Sequence, residues 1–161
     1  MPAVLDRPVL APDLQSHLDQ ARAAAYAAKL PYAGGLRPSQ AWALVRAGGA
    51  TLVDVRSAEE LHFVGRVPDS LHVAWATGTS LTRNPRFVRE LESKLAGDKQ
   101  AVVLLLCRSG KRSALAAEAA TKAGFGHVFN VLEGFEGELD DHGQRGHHDG
   151  WRWHGLPWQQ S

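Results

Sequence analysis

One cysteine in 161 residues leaves no internal disulfide to staple this chain and gives no reason to place it in an oxidising compartment. Charge of one sign is missing too. The net charge of +1 gives no global pull toward nucleic acid or an anionic membrane, so the cations act only locally. No segment approaches the roughly 20 apolar residues that a membrane span needs. The start, Met1-Pro-Ala-Val-Leu-Asp6, has neither the basic flank nor the apolar stretch of a secretory signal. These absences predict a soluble, cytoplasmic protein with no nucleic-acid or membrane partner. Its length fits one domain with a sizeable core.

The lone cysteine stands in the most informative stretch. Residues 101–106, Ala-Val-Val-Leu-Leu-Leu, form an unbroken apolar run of strand length, suited to a strand covered on both faces of a parallel sheet. Residues 113–122 are rich in Ala and read as a helix closed by Gly124. Between them lies a short polar loop that begins with Cys107. Open α/β sheets place their ligands there, between the carboxyl end of a strand and the start of a helix. A free thiol titrates near ~8.5, and a helix N-terminus with nearby cations lowers that to roughly 3.5–7.5. Arg108, Lys111 and Arg112 supply such cations, while Ser109 and Gly110 allow a tight backbone curl whose amides face one centre. The expected site is a Cys107 thiolate at the bottom of a strongly cationic cup. Its substrate would be a small anion carrying an atom that a thiolate can attack.

Cys107-Arg-Ser-Gly-Lys-Arg112 resembles the six-residue active-site loop of the rhodaneses, the thiosulfate sulfurtransferases. Upstream, residues 52–63 are similar to that family's strand-then-helix segment, and residues 64–73 to its Gly-His-Ile-Pro-Gly-Ala turn and following strand. Downstream, residues 127–134 look like its last strand and the start of its Gly-Gly turn. The resemblance spans about residues 38–158. It implies a three-layer α/β domain with a mainly parallel central sheet of about five strands, flanked by helices. It also implies Cys107 as nucleophile and Arg108, Ser109, Gly110, Lys111, Arg112 and Ser113 as the substrate-binding loop. Asp54 and Arg56 would support that loop from behind, against the alternative of an ordinary surface ion pair. The domain is expected over residues 37–161, preceded by an arm and helix in residues 1–36.

The chain departs from the family in two places. Arg66 stands where histidine is usual, and Asp69-Ser70 replaces Gly-Ala. After Gly134, Phe135 replaces the second glycine, and residues 136–150 intervene as an insertion before Trp151. The insertion reads as a surface loop. It carries Glu136, Glu138, Asp140, Asp141, His142, His147, His148 and Asp149, but a glycine-rich segment offers no fixed frame for a metal, and neither metal nor cofactor is expected. A lid over Cys107 is a further hypothesis; deleting residues 137–149 would then change Michaelis constants or acceptor choice.

Other elements follow from local pattern. Asp13 caps a helix through about Lys29 with Leu14, Leu18, Ala21, Ala25 and Ala28 as its apolar stripe, and residues 30–35 break it. Ser39 starts a second helix over 40–47, and residues 51–55 form a strand. Ser57 and Glu60 make a capping box, residues 75–82 a loop, and Asn84-Pro85 opens a helix to about Leu95.

The reaction implied is transfer of a sulfane sulfur from thiosulfate, or a similar small anionic donor, to a thiol or cyanide through a Cys107 persulfide. One alternative is a persulfide carrier or sensor that serves a protein acceptor. Another is a cysteine phosphatase, which requires Cys-x5-Arg; here Ser113 holds the sixth position after Cys107 and the arginine comes one earlier. Mercaptopyruvate sulfurtransferases share the implied fold, but their loop usually reads Gly-Ser-Gly-Val-Thr after the cysteine.

Overall fold

The structure, a computed structural model, describes residues 9–160. The first eight positions of the expected N-terminal arm lie outside the described residues. Helix α1 (Pro12–Ala28) is followed by β1 (Gly34–Leu36), α2 (Pro38–Arg46), β2 (Thr51–Asp54), α3 (Ala58–Phe63) and β3 (Leu71–His72). A small hairpin, β4 (Ala76–Thr77) and β5 (Thr82–Arg83), leads into α4 (Phe87–Lys94). Then come β6 (Val102–Leu106), α5 (Lys111–Lys122) and β7 (His127–Val131). The five long-range strands form one sheet in the order β1-β7-β6-β2-β3, and every neighbouring pair is parallel.

The apolar run of β6 is explained by its central place. Val103, Leu105 and Cys107 pack on one side with Phe87 and Leu91 of α4 and Ala116, Ala117 and Ala120 of α5. Leu104 and Leu106 pack on the other with Leu18 and Ala21 of α1 and Ala41 and Leu44 of α2. Both faces are dry, so the usual polar alternation is absent. The cysteine continues the α4/α5 side of that alternation.

Several expectations are corrected. The fifth strand, β1, comes from within residues 1–36, so the boundary after residue 36 cuts an integral strand from its sheet. Gly-Gly-Leu has no periodicity to betray it; register with β7 makes it a strand. The first helix begins at Pro12 with Ala11 as its cap, and Asp13 sits inside its first turn. Of its stripe, Ala28 is exposed. The second begins at Pro38, not after Ser39, because Gln40 accepts the Arg37 backbone N–H at 3.0 Å. Asn84-Pro85 forms a turn ahead of α4: the Asn84 side chain accepts the Arg86 N–H at 3.0 Å and donates to the Ala74 carbonyl at 2.9 Å. The loop over 75–82 contains the hairpin. Helix α5 starts at Lys111, two residues earlier than expected, which puts two of the three loop cations in its first turn.

Candidate active site

Cys107 follows the last residue of β6, and only Arg108, Ser109 and Gly110 separate it from α5. Gly110 is the N-cap, with φ of 100°, a conformation that glycine adopts without Cβ strain. That turn brings the Gly110 N–H to 3.1 Å from Cys107 Sγ. One turn into the helix, the Ser113 hydroxyl lies 3.1 Å from the same sulfur. The thiol is 1% exposed and has two donors beside the positive end of a 12-residue helix.

Behind this cradle stands Asn130, a residue that sequence reasoning missed. Its Oδ1 is 2.5 Å from Ser113 Oγ, and its Nδ2 donates to the Gly110 carbonyl at 3.1 Å. Ser113 has one hydroxyl proton and two acceptors. With a neutral thiol, S–H donates to Ser113 and Ser113 donates to Asn130. With a thiolate, the same proton turns to the sulfur. A polar residue inside an apolar β7 was the available signal.

The cations are not arranged as a uniform cup. Arg112 forms a two-pronged pair with Glu60 of α3, Nη1 to Oε1 and Nη2 to Oε2, both at 2.8 Å. Glu60 also accepts the backbone N–H and hydroxyl of Ser57, each at 3.1 Å, so the expected capping box is present and doubles as part of the site. Burial pushes the Glu60 carboxyl up, but the bonds from Arg112 and Ser57 outweigh this and hold it at about 2, below its ordinary 4.5. Lys111 is exposed. Arg108 is half-buried, and its Nε has no partner.

The loop is held from below by the turn after β7. Phe135 N–H donates to the Cys107 carbonyl at 2.8 Å, and the amides of Glu136 and Gly137 donate to the Arg108 carbonyl at 3.0 and 3.2 Å. Gly134, with φ of 70°, makes this approach possible: a Cβ there would lie 2.4 Å from the Arg108 carbonyl carbon. Asp54 and Arg56 lie at the same end of the sheet, Asp54 in register with Leu106. Their ion pair, at 2.7 Å, is fully buried, not a surface pair. Arg56 makes no hydrogen bond to the loop itself. It donates to the Gly65 carbonyl at 2.8 Å and lies 4.2 Å from the Phe135 ring centroid, so it reaches Cys107 through Phe135.

The insertion is closed at its base. Asp149 accepts the Glu138 N–H at 2.8 Å, Arg145 donates to the Gly137 carbonyl at 2.8 Å, and Gly150 donates to Glu133 at 3.0 Å. Among the described residues, no three His, Cys, Asp or Glu side chains converge as metal ligands. A pocket of 360 Å³ opens beside the loop, bounded by α3, the β4–β5 turn, Arg108 and the insertion. A larger cavity of 510 Å³ lies at the opposite end of the sheet, by the starts of β6 and β7, lined by Arg22 and His127 with no nucleophile. No helix among the described residues is long and apolar enough to cross a membrane.

Comparison with known proteins agrees with this architecture. The chain is 47% identical to the crystal structure of Rv0390 from M. tuberculosis, covering 81% of this chain and 99% of that one with a TM-score of 0.69. It is 34% identical to the uncharacterised protein RC0915 of Rickettsia conorii, over 72% of this chain and 88% of the relative. It is 28% identical to the thiosulfate sulfurtransferase GlpE of Actinobacillus pleuropneumoniae, over 76% and 89%. Residues 37–139 match the family model described as the rhodanese-like domain. A single buried cysteine between a central parallel strand and its helix, in a chain with sulfurtransferase relatives, places this protein in the rhodanese-like family.

Proposed function

We propose that the protein is a cytoplasmic thiosulfate sulfurtransferase working through a Cys107 persulfide. The observation that carries this reading is the sulfur cradle: Sγ with the Gly110 N–H and the Ser113 hydroxyl both at 3.1 Å, at the start of α5. These donors stabilise negative charge on sulfur, so the thiolate attacks the outer sulfur of thiosulfate. The S–S bond of the donor breaks and sulfite leaves with its electron pair. Arg108, Ser109, Lys111 and Arg112 bind the donor, with Arg112 shared between Glu60 and the incoming anion. Asp54 and Arg56 keep the loop's floor rigid through Phe135. A thiol or cyanide then takes the sulfur, which is covalent, ping-pong catalysis. The name of the Actinobacillus relative supports thiosulfate as donor.

The test is mass spectrometry of the reduced protein after thiosulfate alone, followed by turnover with cyanide. One added sulfur on Cys107 and steady thiocyanate release are expected, and Cys107→Ser loses both. Turnover retained by Cys107→Ser would sink the assignment.

A further inference from the structure

Three arginines stand together where the fold gains nothing from them. Arg83 ends the hairpin strand β5, Arg86 stands at the N-cap of α4, and Arg89 lies in the first turn of that helix. All three are exposed, and none has an ion pair among the described residues. Positive charge at the start of a helix opposes its dipole, and like charges three residues apart on one face repel. The acids of the helix do not relieve this. Glu90 accepts from the Asn84 side chain at 2.9 Å, and Glu92 pairs with Lys99 at 2.8 Å. The core takes Phe87 and Leu91 from the other face of α4 and no part of the arginines. Arg83 is held in place: its guanidinium lies 3.5 Å from the centroid of the Trp75 ring and donates to the Asn84 carbonyl. Beside it a pocket of 410 Å³ is lined by polar groups, among them His72, Thr77, Thr82 and Arg86. Cations set against the local rules, one of them already ordered, mark a surface kept for binding.

We propose that Arg83, Arg86 and Arg89 form a docking surface for an acidic segment of a partner protein. Guanidinium groups take carboxylates in paired hydrogen bonds, and clustered Asp or Glu offsets both the mutual repulsion and the opposed dipole. Nucleic acid fits this surface less well. Trp75 is engaged by Arg83 and packs edge-on with Phe87, so no aromatic platform is free for a base. A lipid surface also fits less well, because no large apolar side chain between residues 82 and 95 is exposed. The hairpin joins this surface to the site described above. Its residues Thr77, Thr82 and Arg83 wall the arginine pocket, while Gly78, Thr79 and Leu81 wall the pocket beside Arg108. A docked segment therefore lies one hairpin away from the Cys107 loop.

The experiment measures fluorescence anisotropy of a labelled hexaglutamate peptide titrated with the full chain at low salt. The combined variant Arg83→Gln, Arg86→Gln and Arg89→Gln should bind roughly 10- to 100-fold more weakly, the product of three exposed ion pairs each worth a factor of about two to five. The same loss of charge at other exposed cations, Lys29→Gln with Arg37→Gln and Arg46→Gln, should change affinity by less than about twofold. Thermal melts give a second readout. The first variant should be at least as stable as wild type, because its cations oppose the helix dipole. A clear drop in its melting temperature would show that the arginines serve the fold, and would overturn the inference. Equal weakening by both combined variants would overturn it as well, and so would tighter binding of oligothymidylate or phosphatidylserine vesicles than of the peptide. Peptide binding is read without any sulfur donor, so this inference and the persulfide reading fail separately.

Discussion

Two carboxylate–guanidinium pairs stand within one short region, Asp54 with Arg56 at 2.7 Å and Glu60 with Arg112 at 2.8 Å. In the first, neither side chain has any exposure; in the second, Arg112 and Glu60 keep 14% and 16%. The inner pair is closed by covalent nearness, since its partners are two residues apart. Arg56 also donates to the Gly65 carbonyl and lies against the Phe135 ring, its Nη1 has no hydrogen-bond partner, and nothing in solution reaches the pair. The outer pair joins residues 52 apart in sequence and stays partly open to solvent, so in the proposed reaction an incoming anion would compete with Glu60 for the same guanidinium. Burial thus separates a sealed pair from one that solutes can reach.

The largest expected effect tests the inner pair. Asp54→Ala leaves the Arg56 charge buried and alone, and should lower the free energy of urea unfolding by about 3–5 kcal/mol. A loss below 1 kcal/mol would mean that the two pairs do not differ as described. Next, Ser113→Ala leaves both pairs intact and removes one donor to Cys107 Sγ. A hydrogen bond to a charged group is worth about 1.5–3 kcal/mol, so alkylation by iodoacetamide at neutral pH should slow by roughly 10- to 100-fold. Asn130→Ala, which frees the Ser113 proton for sulfur but unties Gly110, tests whether the loop needs that second anchor; hydrogen exchange at Gly110 should rise.

Glu60→Gln sharpens the comparison from the other side. With Arg112 released, the Michaelis constant for thiosulfate should fall by roughly two- to fivefold; a rise would show that Glu60 instead orients Arg112 for the donor. The smallest effect is one of pH. Glu60 is held at about 2, below 4.5, so the folded state favours its ionised form. That contribution is complete above about 4.5 and is lost as pH falls toward about 2. The stability gap between wild type and Glu60→Gln should therefore close across that window in thermal melts.

Much of this was legible in sequence because local pattern and burial agree there. The run from Val102 to Leu106 suits a two-sided strand, which the structure shows, and the loop after it follows directly. The charge of the site was not legible. Arg108, Lys111 and Arg112 read together as a cup because their neighbours in sequence are known, whereas the carboxylate that occupies Arg112 belongs to another helix. Glu60 hid behind its capping role, which it also performs. Asn130 drew no reading of its own inside the last strand, and β1 is too short and too rich in glycine to announce itself. Each miss is a residue whose meaning is set by a partner distant along the chain.

The closed base of the insertion has a consequence for variation. Its two feet meet through Asp149 and Glu138, Gly150 and Glu133, and Trp151 and Gly134, so the segment between them is a cassette anchored independently of its own length. Lengthening such a loop costs only about 0.6 kcal/mol per doubling, and the carbonyls of Cys107 and Arg108 are held by residues outside the tip. The wall that carries Arg145 can therefore be exchanged, lengthened or recharged while the loop that holds Cys107 stays as it is.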